Sequence, residues 1–238
     1  MKYLLLSLLA MSLTLNASAD DKVVNPDSTG FKFTDIKVVK HTGVKDQHKS
    51  GTCWCYSTNS FFEDEILRKT GKEIHLSEGF VVYHCYYDKA VKYVRMDGTI
   101  NFAEGGAADD VSYVWDKYGM VPNDVYTGMT NGDKKFNTSE LTDILSSYLG
   151  VVKKQHLKKL TPSWMAGFKG ILDAYMGPLP EKFTWQGKEY TPKSFAESLP
   201  IKMDDYIAIA SFTHHPFYEP FALEIPDNWN AALSYNVT

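Results

Sequence analysis

The chain has 238 residues, 44% hydrophobic and 14% aromatic, with a formal net charge of −4 at pH 7. That length and composition support one substantial core or two small ones and exclude a disordered chain. The acidic balance, with no basic stripe interleaved with aromatics, argues against nucleic acid as a partner.

Met1-Lys2 gives a short positive start, Tyr3 to Leu15 is an apolar run broken by Ser and Thr, and Ala17-Ser18-Ala19 reads as a cleavage site. Residues 1–19 are therefore expected to be a signal peptide. Asp20 becomes the first mature residue, and 20–35 a polar N-terminal arm. The run is too short for a stable membrane span, so the mature protein is expected to be secreted or periplasmic, with no span left after cleavage. Residues 36–238 form the folded region.

Ile36 to Val39 is a strand-like run. The pattern over 53–70 predicts a helix with Phe61, Phe62, Ile66 and Leu67 on the apolar face, Glu63-Asp64-Glu65 toward solvent, and Gly71 as the stop. Ser77 is placed to cap a second helix reaching about Tyr93, with a core stripe at Tyr83, Cys85, Tyr86 and Tyr87. A third helix, about 107–118, follows Glu104-Gly105-Gly106 and ends at Gly119.

Residues 127–140 read as an exposed insertion, and Leu141 to Leu149 as helix. Lys153-Lys154 and Lys158-Lys159 are a solvated basic face. Thr161-Pro162 opens a helix to about Tyr175, closed by Gly177-Pro178. Phe183 to Tyr190 reads as a hairpin turning at Gln186-Gly187-Lys188; Thr191-Pro192 opens a short helix, and Asp205 to Phe212 is a strand.

The run Gln47-His48-Lys49-Ser50-Gly51-Thr52-Cys53-Trp54-Cys55-Tyr56-Ser57 carries the chemistry. Cys53 opens a helix, where unpaired N–H groups and the dipole favour negative charge, and the thiolate is the nucleophilic form. Gln47 stands on the loop leading in, with a side-chain amide able to point at an oxyanion beside the sulfur, together with the N–H of Cys53. Such donors are commonly worth about 3 kcal/mol each in the transition state. Cys53-x-Cys55 has no second Cys/His pair at ligand spacing, so no metal site is read here. No organic cofactor is implied.

The order Gln, then Ser-Gly-Thr-Cys-Trp-Cys-Tyr-Ser, resembles the nucleophile motif of papain-like cysteine peptidases. It is more similar to the bleomycin hydrolase/aminopeptidase C branch than to papain. Leu76-Ser77-Glu78-Gly79-Phe80, Glu104-Gly105-Gly106, Ser211 to Tyr218 and Ile225 to Asn230 resemble segments of that branch. The resemblance implies an α+β, papain-like fold, with a helical left lobe and an incomplete β-rich right lobe. It implies Cys53 as nucleophile, Gln47 as oxyanion donor, and Gly105, Gly106 and Trp54 at the peptide-binding surface.

Many relatives tie the nucleophile loop to the Gly-Gly loop by a disulfide. Ser50 and Ala103 stand at the matching positions here. The resemblance also calls for a His and an Asn from the second lobe, and the sequence stops at Thr238 before any matching pattern. His214-His215, followed by Pro216, and Asn228-Trp229 match an earlier family segment instead, and His41, His48, His75, His84 and His156 read as surface or helix residues. The expectation is a C-terminally truncated peptidase acting on peptides. A complementing chain could supply His and Asn, and a homo-oligomer is compatible with the branch. Aminopeptidase and endopeptidase action both stay open. The competing reading is a non-catalytic peptide-binding module built on the left lobe.

Overall fold

The computed structural model describes residues 34–130, 132, 135–155 and 159–238. The signal-peptide expectation, all but the last residues of the arm, His156 and Lys158 lie outside these. The chain divides at Val38/Val39, and the unit Val39–Thr238 carries every helix and strand described below.

Five helices build the core. The first, α1 (Cys53–Thr70), ends where Gly71 enters the left-handed region at φ 70° and its N–H reaches the carbonyl of Leu67. The second, α2 (Glu78–Arg95), starts on Ser77, whose Oγ accepts from the N–H of Phe80 at 2.9 Å. Then come α3 (Ala108–Tyr118), α4 (Ser139–Lys153) and α5 (Ser163–Met176). Phe62 and Ile66 of α1, Phe80, Tyr83 and Tyr86 of α2, and Val111 and Val114 of α3 share one buried cluster with Leu145 and Phe168. Fully burying one such side chain is worth about 1.5–3 kcal/mol, so this cluster is the main source of stability.

The second half is lighter. β1 (Phe183–Trp185) pairs antiparallel with β2 (Lys188–Tyr190). The turn between them has φ 49° at Gln186 and 78° at Gly187, both left-handed, as a two-residue hairpin of the right twist requires. The short α6 (Pro192–Ser198) is capped by Thr191. A three-stranded sheet follows in the order β3 (Ile209–Ala210), β5 (Leu233–Asn236), β4 (Pro220–Ala222). Strand β5 is parallel to β3 and antiparallel to β4. Among the described residues, no helix is long and apolar enough to cross a membrane.

Some expectations fail. Ile36 to Val39 is not a strand: Ile36 is 100% and Val38 76% exposed, and the run makes no ladder with any of the described residues. An apolar tetrapeptide becomes a strand only against a partner edge. The strand expected over 205–212 shrinks to Ile209–Ala210, because the Asn236 carboxamide takes both the N–H and the carbonyl of Phe212, at 2.9 Å each, and ends the ladder. Residues 203–205 form a single 3-10 turn. Within 127–140, Gly128, Phe136 and Thr138 are buried, so that segment is not a plain exposed insertion. On α1, Phe61 is half exposed, whereas Glu63, expected in solvent, is completely buried.

Candidate active site

Glu63 is buried because Lys45 comes to meet it. The Lys45 ammonium contacts the carboxylates of both Glu63 and, at 2.6 Å, Glu78. Glu63 also accepts from the N–H of Leu76 at 2.7 Å, and the N–H of Thr42 reaches Asp64 at the same distance. Burial lowers the Lys45 pKa, but the two carboxylates outweigh it and leave that pKa raised. A segment without regular structure, residues 42–46, is thus fastened to α1 and α2 by charge.

The next residues close on themselves. The Gln47 Nε2 donates to the carbonyl of Ser50 at 2.7 Å, and the Ser50 hydroxyl donates back to the carbonyl of Gln47 at 2.9 Å. The Ser50 and Thr52 hydroxyls lie 2.6 Å apart. His48 sits at φ 51°, its N–H on the Asp46 carboxylate at 2.8 Å. This turn delivers the chain to Cys53, the first residue of α1.

Cys53 is exposed, and its sulfur meets no hydrogen-bond partner among the described residues. Its N–H and that of Trp54 have no acceptor there either, as expected for the first donors of a helix. The other two thiols are sealed in. The Cys55 sulfur faces the carbonyl of Glu78 at 3.7 Å, and that of Cys85 the carbonyl of Asp110 at 4.0 Å. Both are fully buried, and desolvation raises the pKa of each well above the usual thiol value. Two cysteines separated by one residue therefore have opposite environments, which also removes any shared metal reading.

One residue quoted from the sequence without a role, Glu104, joins the turn that presents Cys53 to the Gly-Gly loop. The Glu104 carboxylate accepts from the N–H of Gly51 at 3.1 Å, from the Thr142 hydroxyl at 3.0 Å, and from the Thr138 hydroxyl. Its carbonyl accepts from the indole N–H of Trp54 at 3.0 Å. A Cβ on Gly51 would lie 2.6 Å from the Glu104 Cβ, so glycine is required for this approach. Ser50 and Ala103 form no covalent bridge; hydrogen bonds to Glu104 do the joining.

Trp54, only 7% exposed, lies behind this loop. A Cβ on Gly106 would lie 2.7 Å from its ring and 2.6 Å from the Asp110 carboxylate. The Asp227 carboxylate packs against the position a Gly105 side chain would take. Asp110, nearly fully buried, has its pKa pushed up to about 6 by desolvation. It accepts from the N–H of Ala107 at 3.1 Å at the start of α3.

The expected residues thus meet only in part. Gln47, Cys53, Trp54, Gly105 and Gly106 are linked through Ser50, Gly51 and Glu104. No hydrogen bond joins Gln47 to Cys53 directly. The Gln47 amide spends one of its two N–H donors on Ser50 and keeps the other. Among the described residues no histidine bonds to Cys53. His214 and His215 pack on each other with ring centroids 4.4 Å apart, and His215 stacks on Phe221 of β4. A groove of 630 Å³ between Phe61 of α1, Asp109 and Asp116 of α3, and Leu233 and Tyr235 of β5 holds none of the expected site residues.

A long helix that begins on an exposed cysteine, packed against further helices and followed by a small sheet, is the α+β, papain-like fold. The profile described as "Papain family cysteine protease" matches residues 31–163. The chain belongs to the papain family of cysteine proteases. It is 24% identical over 159 residues to procathepsin L from Felis catus, covering 66% of this chain and 45% of that protein. It is 34% identical over 89 residues to digestive cysteine proteinase 1 from Homarus americanus, covering 32% and 27%. The solved structure of PepW from Lactobacillus rhamnosis superposes with a TM-score of 0.68 at 18% identity, covering 84% of this chain and 54% of that one. The chain therefore spans about half the length, or less, of the proteins it matches.

Proposed function

We propose that Cys53 is the nucleophile of a peptidase and that this chain carries the thiol side of its site. The observation that carries the reading is the contrast among the three thiols, with Cys53 alone exposed and set beside an unpaired helix-start N–H. In this reading the sulfur attacks a peptide carbonyl carbon. The oxyanion is received by the Cys53 N–H and the spare Gln47 donor. As the sulfur attacks, the thiol proton passes to a base; the carbon–nitrogen bond then breaks, and the protonated base gives that proton to the leaving amine. Water then hydrolyses the thioester and restores the thiol. Gly105 and Gly106 would admit the substrate main chain, backed by Trp54.

The base and the amide that orients it are proposed to come from polypeptide outside residues 1–238, on the same or a complementing chain. The finer assignment, removal of residues from peptide N-termini as in the aminopeptidase C branch, rests on the segments 76–80, 104–106, 211–218 and 225–230. Export after removal of residues 1–19 rests on the charge and hydropathy pattern of that segment.

The test is labelling with a peptidyl epoxysuccinate at neutral pH, followed by peptide mapping. Modification of Cys53, well faster than that of free cysteine and lost in Cys53→Ala, is expected. Labelling no faster than free cysteine overturns the proposal.

A further inference from the structure

Lys89 of α2 is only 2% exposed, on the same face as Cys85 one turn earlier. Among the described residues it has no carboxylate at ion-pair distance. Asp110 and Asp227 act on it only from farther away, and burial lowers its pKa. Its ammonium donates instead to two backbone carbonyls of the Gly-Gly loop, those of Ala103 at 3.3 Å and of Gly105. It also lies 5.7 Å from the centroid of the Trp54 ring. A buried cation is costly unless its donors are met, so these carbonyls are held firmly.

The peptide planes convert this into a direction. Among the described residues no peptide bond is cis, and in a trans peptide the N–H points opposite to the carbonyl. The carbonyls of Ala103 and Gly105 are drawn to Lys89, and that of Glu104 to the Trp54 indole. The N–H groups of Glu104, Gly105 and Gly106 therefore point away from these partners, and none has an acceptor among the described residues.

We propose that Lys89 is a positioning residue, which turns the donors of the 104–106 loop outward to receive the carbonyl oxygens of a bound peptide. This rests on the reading of Cys53 as a peptidase nucleophile. It adds a specific cause for the loop's polarity: the loop binds a peptide because a buried cation has taken its acceptors.

The experiment compares two reagents for Cys53, a peptidyl epoxysuccinate that must lie along the loop and iodoacetamide that need not. In Lys89→Met the peptidyl rate is expected to fall about tenfold while the iodoacetamide rate stays within twofold. Lys89→Arg, which keeps a cation, should recover part of the loss. A peptidyl-to-iodoacetamide ratio unchanged in Lys89→Met, or both rates falling together with the melting temperature, overturns the proposal. Should Lys89→Met not fold, Lys89→Gln, which keeps a donor for one carbonyl, carries the same comparison, and an unchanged ratio there is equally decisive. A wild-type protein that shows no preference for the peptidyl reagent would instead sink the peptidase reading itself.

Discussion

The backbone N–H of Gly51 donates to the carboxylate of Glu104 across 53 positions of sequence, at 3.1 Å. Through this bond, and the one from Trp54 to the Glu104 carbonyl, the turn that presents Cys53 and the loop that carries Gly105 and Gly106 form one unit. Hydrogen bonds to a charged acceptor contribute about 1.5–3 kcal/mol each. Glu104→Ala, which leaves Gly51, Thr138 and Thr142 without their acceptor, is expected to cost at least about 2 kcal/mol. Glu104→Gln should cost less. Urea denaturation of the two variants checks the order.

The thiols should count unequally. With Cys53 exposed and Cys55 and Cys85 buried, a disulfide reagent at pH 8 is expected to titrate one thiol in the native protein and three in denaturant. Cys53→Ala should leave none reactive in the native state. A second fast native thiol would contradict the burial of Cys55 and Cys85.

Removing the Glu63 carboxylate strands Lys45 on one partner and leaves the N–H of Leu76 without its acceptor. Breaking a buried ion pair on one side costs about 3–5 kcal/mol. Glu63→Ala is expected in that range. The double variant Glu63→Gln, Lys45→Met should lose less than the sum of its two single changes, because each single change already breaks the Glu63–Lys45 pair, while Glu78 loses Lys45 equally in Lys45→Met and in the double variant. A thermodynamic cycle in urea measures the difference.

His84 sets part of the acid limit. It stacks on Tyr118 with centroids 3.7 Å apart and meets Phe80 edge-on, and desolvation lowers its pKa from 6.5 to about 3. The folded state therefore binds fewer protons than the unfolded state between these values. The contribution is fully present above about pH 6.5 and is lost progressively as pH falls toward 3. His84→Phe should flatten the stability–pH curve in that window relative to wild type. Urea midpoints at pH 4, 5, 6 and 7 provide the check, and parallel curves would count against it.

Much of the left-hand helical half was legible from sequence. Ser77 and Gly71 marked helix ends through local chemistry, a hydroxyl cap and a left-handed glycine, that needs no distant partner. Gln186-Gly187 marked the hairpin for the same reason. What sequence reading missed was set by distant partners. Glu63 follows the charged rule of a solvated helix face until Lys45, 18 positions earlier, is folded beside it. Lys89 left a usable signal, a lysine one turn after Cys85 and next to Ala90 on the stripe that packs inward. The strand expected at 205–212 was shortened by Asn236, a residue its own hydropathy pattern does not contain.

Within the proposed site, that Gln47, Cys53, Trp54 and the two glycines stand on adjoining loops was readable from the motif. Their support was not. Glu104 sits in the quoted Glu-Gly-Gly triplet, yet its role depends on Gly51 and on Thr138 and Thr142 coming from two other parts of the chain.

The joining of the two loops by Glu104, with all three cysteines unbridged, makes the architecture around Cys53 indifferent to redox conditions. Reductant has no crosslink to cut there, so it can keep the sulfur in its thiol form at no expense to the scaffold.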